Sequence, residues 1–382
     1  MSQSLKIALD VLGLGRPGGA RTATLNLLIG LGELDPLNQY TVFLERPEPA
    51  LDRFANFQQR VIPADKRLTM RVWAQARLPG ILRREAFDLV HHNRSLGIFG
   101  SPCPTIITIY DVTILALPEF YPLIDVWYWR WVQPRLLRRM DRIVAISTNT
   151  KRDLETFLDI PGDQIDVVYA APDPQFRRLA DPAAIRAVRL KYDLPDDFIL
   201  YVGLLARKKN IPTLLQAYAE MRQQTDLAHP LVATGRPFGT SNDENRVNQL
   251  IDQLGIRSHV RITGLIPQED VIALYNAASV FVFPSLHEGF GLVPLEAMTC
   301  GVPVIAANTS AIPEVVGDAA LLIDNPTDHR ELAAAMIHVL TDSALARSMV
   351  EKGYERARLF SRERSARQML AIYNQLAHLT KR

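Results

Sequence analysis

Short β-branched apolar runs alternate with apolar positions at helical spacing along the first half of the chain, and residues 7–11, 40–44, 88–91, 105–109 and 142–146 predict strands. The alternation restarts at 198–202 and continues through 230–234, 260–263, 280–283, 302–306 and 321–323. Nearly continuous apolar strands separated by helices build parallel sheets covered on both faces, so the expected fold class is α/β with two Rossmann-like, doubly wound domains. The stretch 171–197 between the two series is rich in Pro, Asp and Arg and reads as a connection. The boundary is expected near residue 175, giving domains 1–175 and 176–360. A last helical pattern, 361–382, either closes the second domain or crosses back onto the first. Ligands of open α/β sheets sit outside the carboxyl ends of the strands, so two such domains facing a central cleft would each offer it a set of loops.

Length and composition agree with this division. The 382 residues are 48% apolar and 22% charged, an ordinary globular balance that excludes a disordered or collagenous chain. With 43 basic and 41 acidic side chains the net charge is +2, too weak a field to favour nucleic acid as a partner. Cys103 and Cys300 lie far apart and fit no metal-ligand spacing, which suits two buried thiols in a reducing compartment. Pro102 and Pro104 interrupt the longest apolar stretch, and Lys6 and Asp10 break the N-terminal one, so neither a spanning helix nor a signal peptide is expected and a cytoplasmic location is. No Asp-x-Asp occurs, and Glu33-Leu-Asp35 and Asp153-Leu-Glu155 fall in helical patterns. No metal site is expected.

Two loops carry the candidate chemistry. After the first strand, Gly13, Gly15 and Gly18 have the G-x-G-x-x-G spacing and Glu45 ends the second strand, which taken alone would suggest an NAD-dependent dehydrogenase. Pro17 interrupts the fingerprint, and Glu45 stands further away than the usual ~20 residues. What remains is a glycine-rich turn, Gly18-Gly19, running into a helix start whose free amides can hold an anion. In the second half, Pro284-Ser-Leu-His-Glu288-Gly-Phe-Gly-Leu-Val-Pro-Leu-Glu296 follows a buried strand, turns through Gly289 and Gly291, and opens a helix. Two carboxylates thereby meet a cluster of free amides, and a carboxylate accepts the paired hydroxyl hydrogen bonds that a vicinal diol offers. His287-Glu288 does not begin H-E-x-x-H, because Gly291 stands where the second His would be. His91 and His92 are adjacent on a strand and point to opposite faces, so at least one is structural.

The spacing Glu288-x7-Glu296 resembles the E-x7-E motif of retaining glycosyltransferases of the GT-B fold, in particular glycosyltransferase family 4. Tyr201-Val-Gly203 with Arg207-Lys-Lys-Asn210, Ile262-Thr-Gly264, Thr309-Ser-Ala-Ile-Pro-Glu314 and Val316-Gly-Asp-Ala-Ala320 match in order along nearly the whole chain. The resemblance implies that Glu296 binds the nucleotide ribose and Glu288 lies against the donor sugar. It implies backbone contacts from Phe290, Gly291 and Leu292 to sugar and diphosphate, and from Ile266 to the base. Lys209 matches the family's phosphate-binding lysine; Leu204 stands where an Arg is usual, with Arg207 and Lys208 as substitutes. Tyr110 replaces the His often found beside the donor sugar. The implied chemistry is front-face transfer with retention, with Glu288, Lys209 and Tyr110 as the catalytic set, no metal and no cofactor beyond the sugar donor. The Arg-Lys-Lys-Asn segment resembles the mannosyltransferase-like branch, so GDP-mannose is the first expected donor and UDP-glucose the second, with a glycan or lipid-linked acceptor. The competing readings are the dehydrogenase and a non-catalytic nucleotide-binding protein of the same fold.

Two further segments bear on partners. Residues 66–84 carry Lys66, Arg67, Arg71, Arg77, Arg83 and Arg84 and no acid. A helix over 125–131 carries Trp127, Trp129 and Trp131 and is expected to continue into Arg135, Arg138, Arg139 and Arg142. Such helices either lie on an anionic membrane surface or bury the tryptophans and leave the arginines solvated.

Overall fold

A computed structural model describes residues 4–13, 15, 18–62, 67–235 and 241–379. The chain forms two compact units, one of Met1–Pro172 with Phe360–Arg382 and the other of Asp173–Leu359. The N-terminal unit is built on a parallel sheet of strands β1 (Lys6–Asp10), β2 (Gln39–Leu44), β3 (Phe57–Val61), β4 (Leu89–His92), β5 (Thr105–Ile109), β6 (Arg142–Ala145) and β7 (Ile165–Val167). Their order across the sheet is β3-β2-β1-β4-β5-β6-β7, so the winding reverses between β1 and β4. The second unit contains β8 (Ile199–Val202), β9 (Leu231–Thr234), β10 (Val260–Gly264), β11 (Val280–Phe283), β12 (Val304–Ala307) and β13 (Ala320–Ile323) in the order β10-β9-β8-β11-β12-β13. Its reversal lies between β8 and β11.

The central strands form because both of their faces are covered. Every residue of β4, β5, β9, β11 and β12 is buried, and β11 and β12 accordingly read as unbroken apolar runs rather than alternating ones. β3 and β7, absent from the expected set, are the two edges of the first sheet. β3 carries Gln58, Gln59 and Arg60 with intermediate or exposed burial, and β7 has three residues, so neither shows an apolar run.

The helix Arg362–Leu379 belongs to the N-terminal unit, where Ala366, Met369, Ile372, Tyr373 and Leu376 join the core beside Leu27, Leu28 and Leu31 of the helix Gly19–Leu34. The two helices approach so closely that a Cβ on Gly30 would stand 2.8 Å from the Arg362 side chain and backbone. Polar ties complete the joint. Ser365 Oγ donates to the Tyr169 carbonyl at 2.6 Å, and Tyr373 Oη and His91 Nδ1 are 2.8 Å apart. His91 Nε2 meets Thr108 Oγ1 at 2.8 Å, so this imidazole is a packing and hydrogen-bonding element, and burial holds it well below the usual range at about 3.

The expected continuous helix from 125 to 142 is instead two short helices, Leu123–Trp131 and Gln133–Leu137, and Arg142 opens β6. Pro134 lies in the first turn of the second helix, where its missing N–H costs nothing, and could not have sat inside one continuous helix without breaking a hydrogen bond.

Candidate active site

In the second unit, glycines with positive φ follow β8 and β9 and end β10: Gly203 (153°), Gly235 (140°) and Gly264 (71°). They form a ladder at the sheet's carboxyl edge: Gly203 N–H donates to Thr234 O at 2.9 Å, and Gly235 N–H to Gly264 O at 3.0 Å. A Cβ on Gly235 would lie 1.7 Å from the Gly203 carbonyl oxygen, so only glycine fits there. Tyr201, fully buried, donates to Leu204 O at 2.8 Å and holds the next loop against this edge.

That loop turns through the short helix Arg207–Lys209 and ends on Asn210, whose φ of 61° reverses the chain into the helix Ile211–Gln224. Asn210 is fixed at both ends of its amide: Nδ2 donates to Pro326 O, and Oδ1 accepts from Thr213 Oγ1 at 2.7 Å. The turn presents Lys209 to the loop after β11, where its Nζ is ion-paired with Glu288 Oε1 and lies 5.6 Å from the Phe283 ring centre. The backbones are joined too, Leu286 N–H donating to Lys208 O at 3.2 Å.

The glutamate loop is clasped from its other side. Ser310, held at φ 49°, accepts from Glu288 N–H at 2.8 Å, and Thr309 Oγ1 donates to Ser285 O at 3.0 Å. Gly291, at φ 113°, then starts the helix Leu292–Cys300, leaving first-turn amides at its N-terminus. Glu296 lies one turn in. Burial, with a smaller contribution from the charge of Asp173, pushes its carboxyl up to about 8. The same burial, together with Glu296, pushes the Cys300 thiol up to about 12.

Lys209, Glu288, Phe290, Gly291, Leu292 and Glu296 therefore meet at the carboxyl ends of β8 and β11, the reversal point of this sheet. Ile266 follows β10 and packs its side chain on the core, leaving its backbone to the loop. Arg207, at the start of the short helix, lines a cavity of about 330 Å³ with Leu205, Ile211 and Arg246. The Thr309-Ser310 clasp was visible only as a matching segment, because the contact joins residues more than twenty positions apart.

In the N-terminal unit, Gly18 and Gly19 open the helix Gly19–Leu34, with Thr22 N–H closing its first turn on Gly18 O at 3.1 Å. Tyr110 follows β5, hydrogen-bonded through its hydroxyl to Thr24 Oγ1, and burial raises its phenol. Glu45 overturns the dinucleotide reading. Its two carboxylate oxygens accept from Gly13 N–H at 2.9 Å and Gly15 N–H at 2.7 Å, so the group expected to bind ribose is consumed by the loop itself. Pro17 and Lys66 fall outside the described residues, as does the side chain of Arg67. Among the described residues no group of three His, Cys, Asp or Glu is placed to hold a metal ion, and no helix is long and apolar enough to cross a membrane.

Two reversed parallel sheets, with a cation, two glutamates and a helix N-terminus gathered at one reversal point, define a GT-B glycosyltransferase. Residues 17–176 match Glycosyltransferase Family 4 and residues 186–356 match Glycosyl transferases group 1. The chain belongs to glycosyltransferase family 4. Over 370 residues it is 30% identical to the O-antigen chain mannosyltransferase B of Escherichia coli, covering 91% of this chain and 96% of that one. It is 30% identical over 309 residues to the MMP alpha-(1->4)-mannosyltransferase of Mycolicibacterium hassiacum, covering 76% and 71% of the two chains. In fold it is similar to sucrose-phosphate synthase of Thermosynechococcus elongatus, with a TM-score of 0.79 at 22% identity over 97% of this chain and 99% of that one. The chain is thus a hexosyltransferase of the mannosyltransferase-like branch that draws on a nucleotide diphosphate sugar.

Proposed function

We propose that the donor is GDP-mannose, with UDP-glucose as the second candidate, and that mannose passes with retention to a glycan or lipid-linked glycan. The observation that carries this reading is the Lys209–Glu288 ion pair beside the N-terminus of Leu292–Cys300, in a chain 30% identical to a mannosyltransferase over most of its length. A diphosphate would draw Lys209 away from Glu288 and sit against the amides of Phe290, Gly291 and Leu292. The released Glu288 carboxylate then accepts hydroxyl hydrogen bonds from the hexose, while Glu296 accepts those of the ribose diol. Arg207 and Lys208 supply further positive charge, Ile266 meets the base through its backbone, and Gly18, Gly19 and Tyr110 are the donor contacts assigned to the N-terminal unit. In the chemical step the acceptor hydroxyl oxygen bonds to C1 as the C1–O bond to phosphate breaks, and the hydroxyl proton passes to the departing phosphate oxygen. Lys209 and the helix amides stabilise the charge that develops there.

A thermal-shift panel of GDP, UDP, ADP and NAD, followed by donor hydrolysis with the best binder, tests this. GDP should stabilise most and GDP-mannose should turn over, with activity retained in EDTA. Stabilisation by NAD alone would overturn the reading, and nucleotide binding without turnover would favour the non-catalytic one.

The second proposal concerns location, cytoplasmic and peripheral on an anionic membrane. The helix Leu123–Trp131 turns out Leu123, Ile124, Trp127 and Trp131, exposed by 85%, 69%, 55% and 54%, at spacings that share one face. Arg130, Arg135, Arg138 and Arg139 are exposed nearby, and Arg71 and Arg139 stack on Tyr128 and Phe99. A nine-residue helix offers far less than the ~800 Å² per partner of a stable protein interface, whereas tryptophan with arginine suits the headgroup layer. The protein should float with phosphatidylglycerol vesicles and not with phosphatidylcholine vesicles, and a Trp127→Ala, Trp131→Ala double variant should stay at the bottom of the gradient. Equal flotation of variant and parent would refute it.

A further inference from the structure

Apart from Arg207, none of the residues assigned to the donor lines the cavity of about 330 Å³ in the second unit: Lys209, Ile266, Glu288 and Glu296 all lie outside it. Two helices make its walls. Ile211 and Leu215, one turn apart, face it from Ile211–Gln224, and Val247 and Leu250 share a face of Ser241–Gln253. Leu205, Ile211 and Leu215 are 3%, 2% and 3% exposed, and Val247 and Leu250 are half-buried and pack against the same core. The polar part of the lining is different in kind. Arg207 and Arg246 are both exposed, and among the described residues that line the cavity there is no carboxylate.

An apolar crevice open to water gains free energy when hydrocarbon displaces the water, which favours a ligand with an apolar body. The arginines select its charge. Exposed guanidiniums hold a bare anion weakly, because each is solvated and screened. An anion anchored by a buried body keeps its hydrogen bonds to both, and two cations complement the nearly double charge of a phosphate monoester, whose oxygens match the planar guanidinium fork. The volume lies at the lower end of the ~300–1,000 Å³ of small-molecule sites, which suits a short chain or a single ring and leaves out a long acyl or prenyl chain.

We infer that this cavity is an effector site for a phosphate monoester with a short apolar body. The inference rests on the glycosyl-transfer reading only for what the effector regulates. Arg207 opens the three-residue helix that ends on Lys209, so a phosphate in the cavity neutralises charge on which the donor diphosphate also draws. Effector and GDP bind together, and each weakens the other by the same factor.

Titration calorimetry with hexyl phosphate as probe tests this. The probe should bind at one site in the free protein and also in the GDP-saturated protein, there with lower affinity. Hexanol and inorganic phosphate, the body and the head alone, should each bind at least tenfold more weakly. Arg246→Glu reverses one of the two charges and Val247→Trp fills the cavity. Each should weaken the probe at least tenfold and leave GDP affinity and turnover unchanged. The inference is overturned if hexyl phosphate does not bind, if GDP displaces it completely, as shared occupancy of the diphosphate site requires, or if both variants bind it like the parent. Should Val247→Trp not fold, Arg246→Glu, an exposed position, decides alone. Failure of the donor reading would appear separately, as hexyl phosphate binding in a protein that responds to no nucleotide.

Discussion

At the scale of single residues, the ion pair between Lys209 and Glu288 makes the two glutamates behave differently when removed. Glu288→Ala deletes the group that competes with phosphate for Lys209, so GDP affinity should hold or improve while turnover collapses. Glu296→Ala should instead weaken GDP binding. Lys209→Ala removes a cation used both in binding and against developing charge, and should lower kcat on the order of 10²-fold as well as GDP affinity. Equal effects of all three on binding and rate would contradict the assigned roles. Glu296 also predicts a pH dependence. Its carboxyl stands near 8 in the fold against an ordinary 4.5, so between those values the folded protein holds a proton that the unfolded chain has released. Its favourable contribution is fully present below the ordinary value and is lost as pH rises through about 8. The ligand-free melting temperature should therefore fall from about pH 5 to about pH 8.5, and Glu296→Gln should flatten part of that fall; parallel curves would rule it out. The loop of Glu288 and the helix turn of Glu296 were legible in the chain because strand end, glycine turn and carboxylate spacing are local, whereas the ion pair of Lys209 with Glu288 joins residues 79 positions apart. What Glu45 does was not legible for the opposite reason: the amides it accepts from, those of Gly13 and Gly15, lie some thirty positions away.

At the scale of elements, the strand-end glycines decide whether the site exists. Gly235 touches no proposed ligand, yet a methyl group there would collide with the Gly203 carbonyl at the start of the lysine loop. Gly235→Ala should cost on the order of 1–3 kcal/mol from backbone conformation alone, and more from the collision. Chemical denaturation should show that loss together with weaker GDP binding; a stable variant with normal GDP affinity would mean the glycine ladder does not position Lys209. Apolar strand cores were readable because burial on both faces writes a continuous pattern, as in Val280-Phe-Val-Phe283. The edges β3 and β7 were not, since one side of an edge strand faces no neighbour and its composition drifts toward polar residues. The tryptophan helix illustrates a further gap. Its 3.6-residue period marks a shared face for Leu123, Trp127 and Trp131 but cannot say whether that face is covered, and the structure leaves it open while Trp129 packs inward.

At the scale of the whole molecule, the N-terminal unit is discontinuous in sequence, because its last helix arrives after the entire second unit has been traversed. The stripe Ala366, Met369, Ile372, Tyr373 and Leu376 shows that Arg362–Leu379 is amphipathic, but such a stripe carries no address, so its destination could not be read from the chain. The larger of these side chains contribute roughly 1.5–3 kcal/mol each on burial. Their sum is comparable to the ~5–15 kcal/mol that a domain has in total. Truncation before residue 361 should therefore unfold the N-terminal unit while sparing the second, whose core contains none of them. Calorimetry can separate the two outcomes, because a ligand raises only the transition of the unit that binds it. The full chain should show a component that GDP moves upward. The truncated chain should keep that GDP-responsive component and lose the other. If truncation abolished the response to GDP, the nucleotide would depend on the N-terminal unit for its binding energy, and the assignment of Lys209, Glu288 and Glu296 as the principal nucleotide contacts would have to be given up.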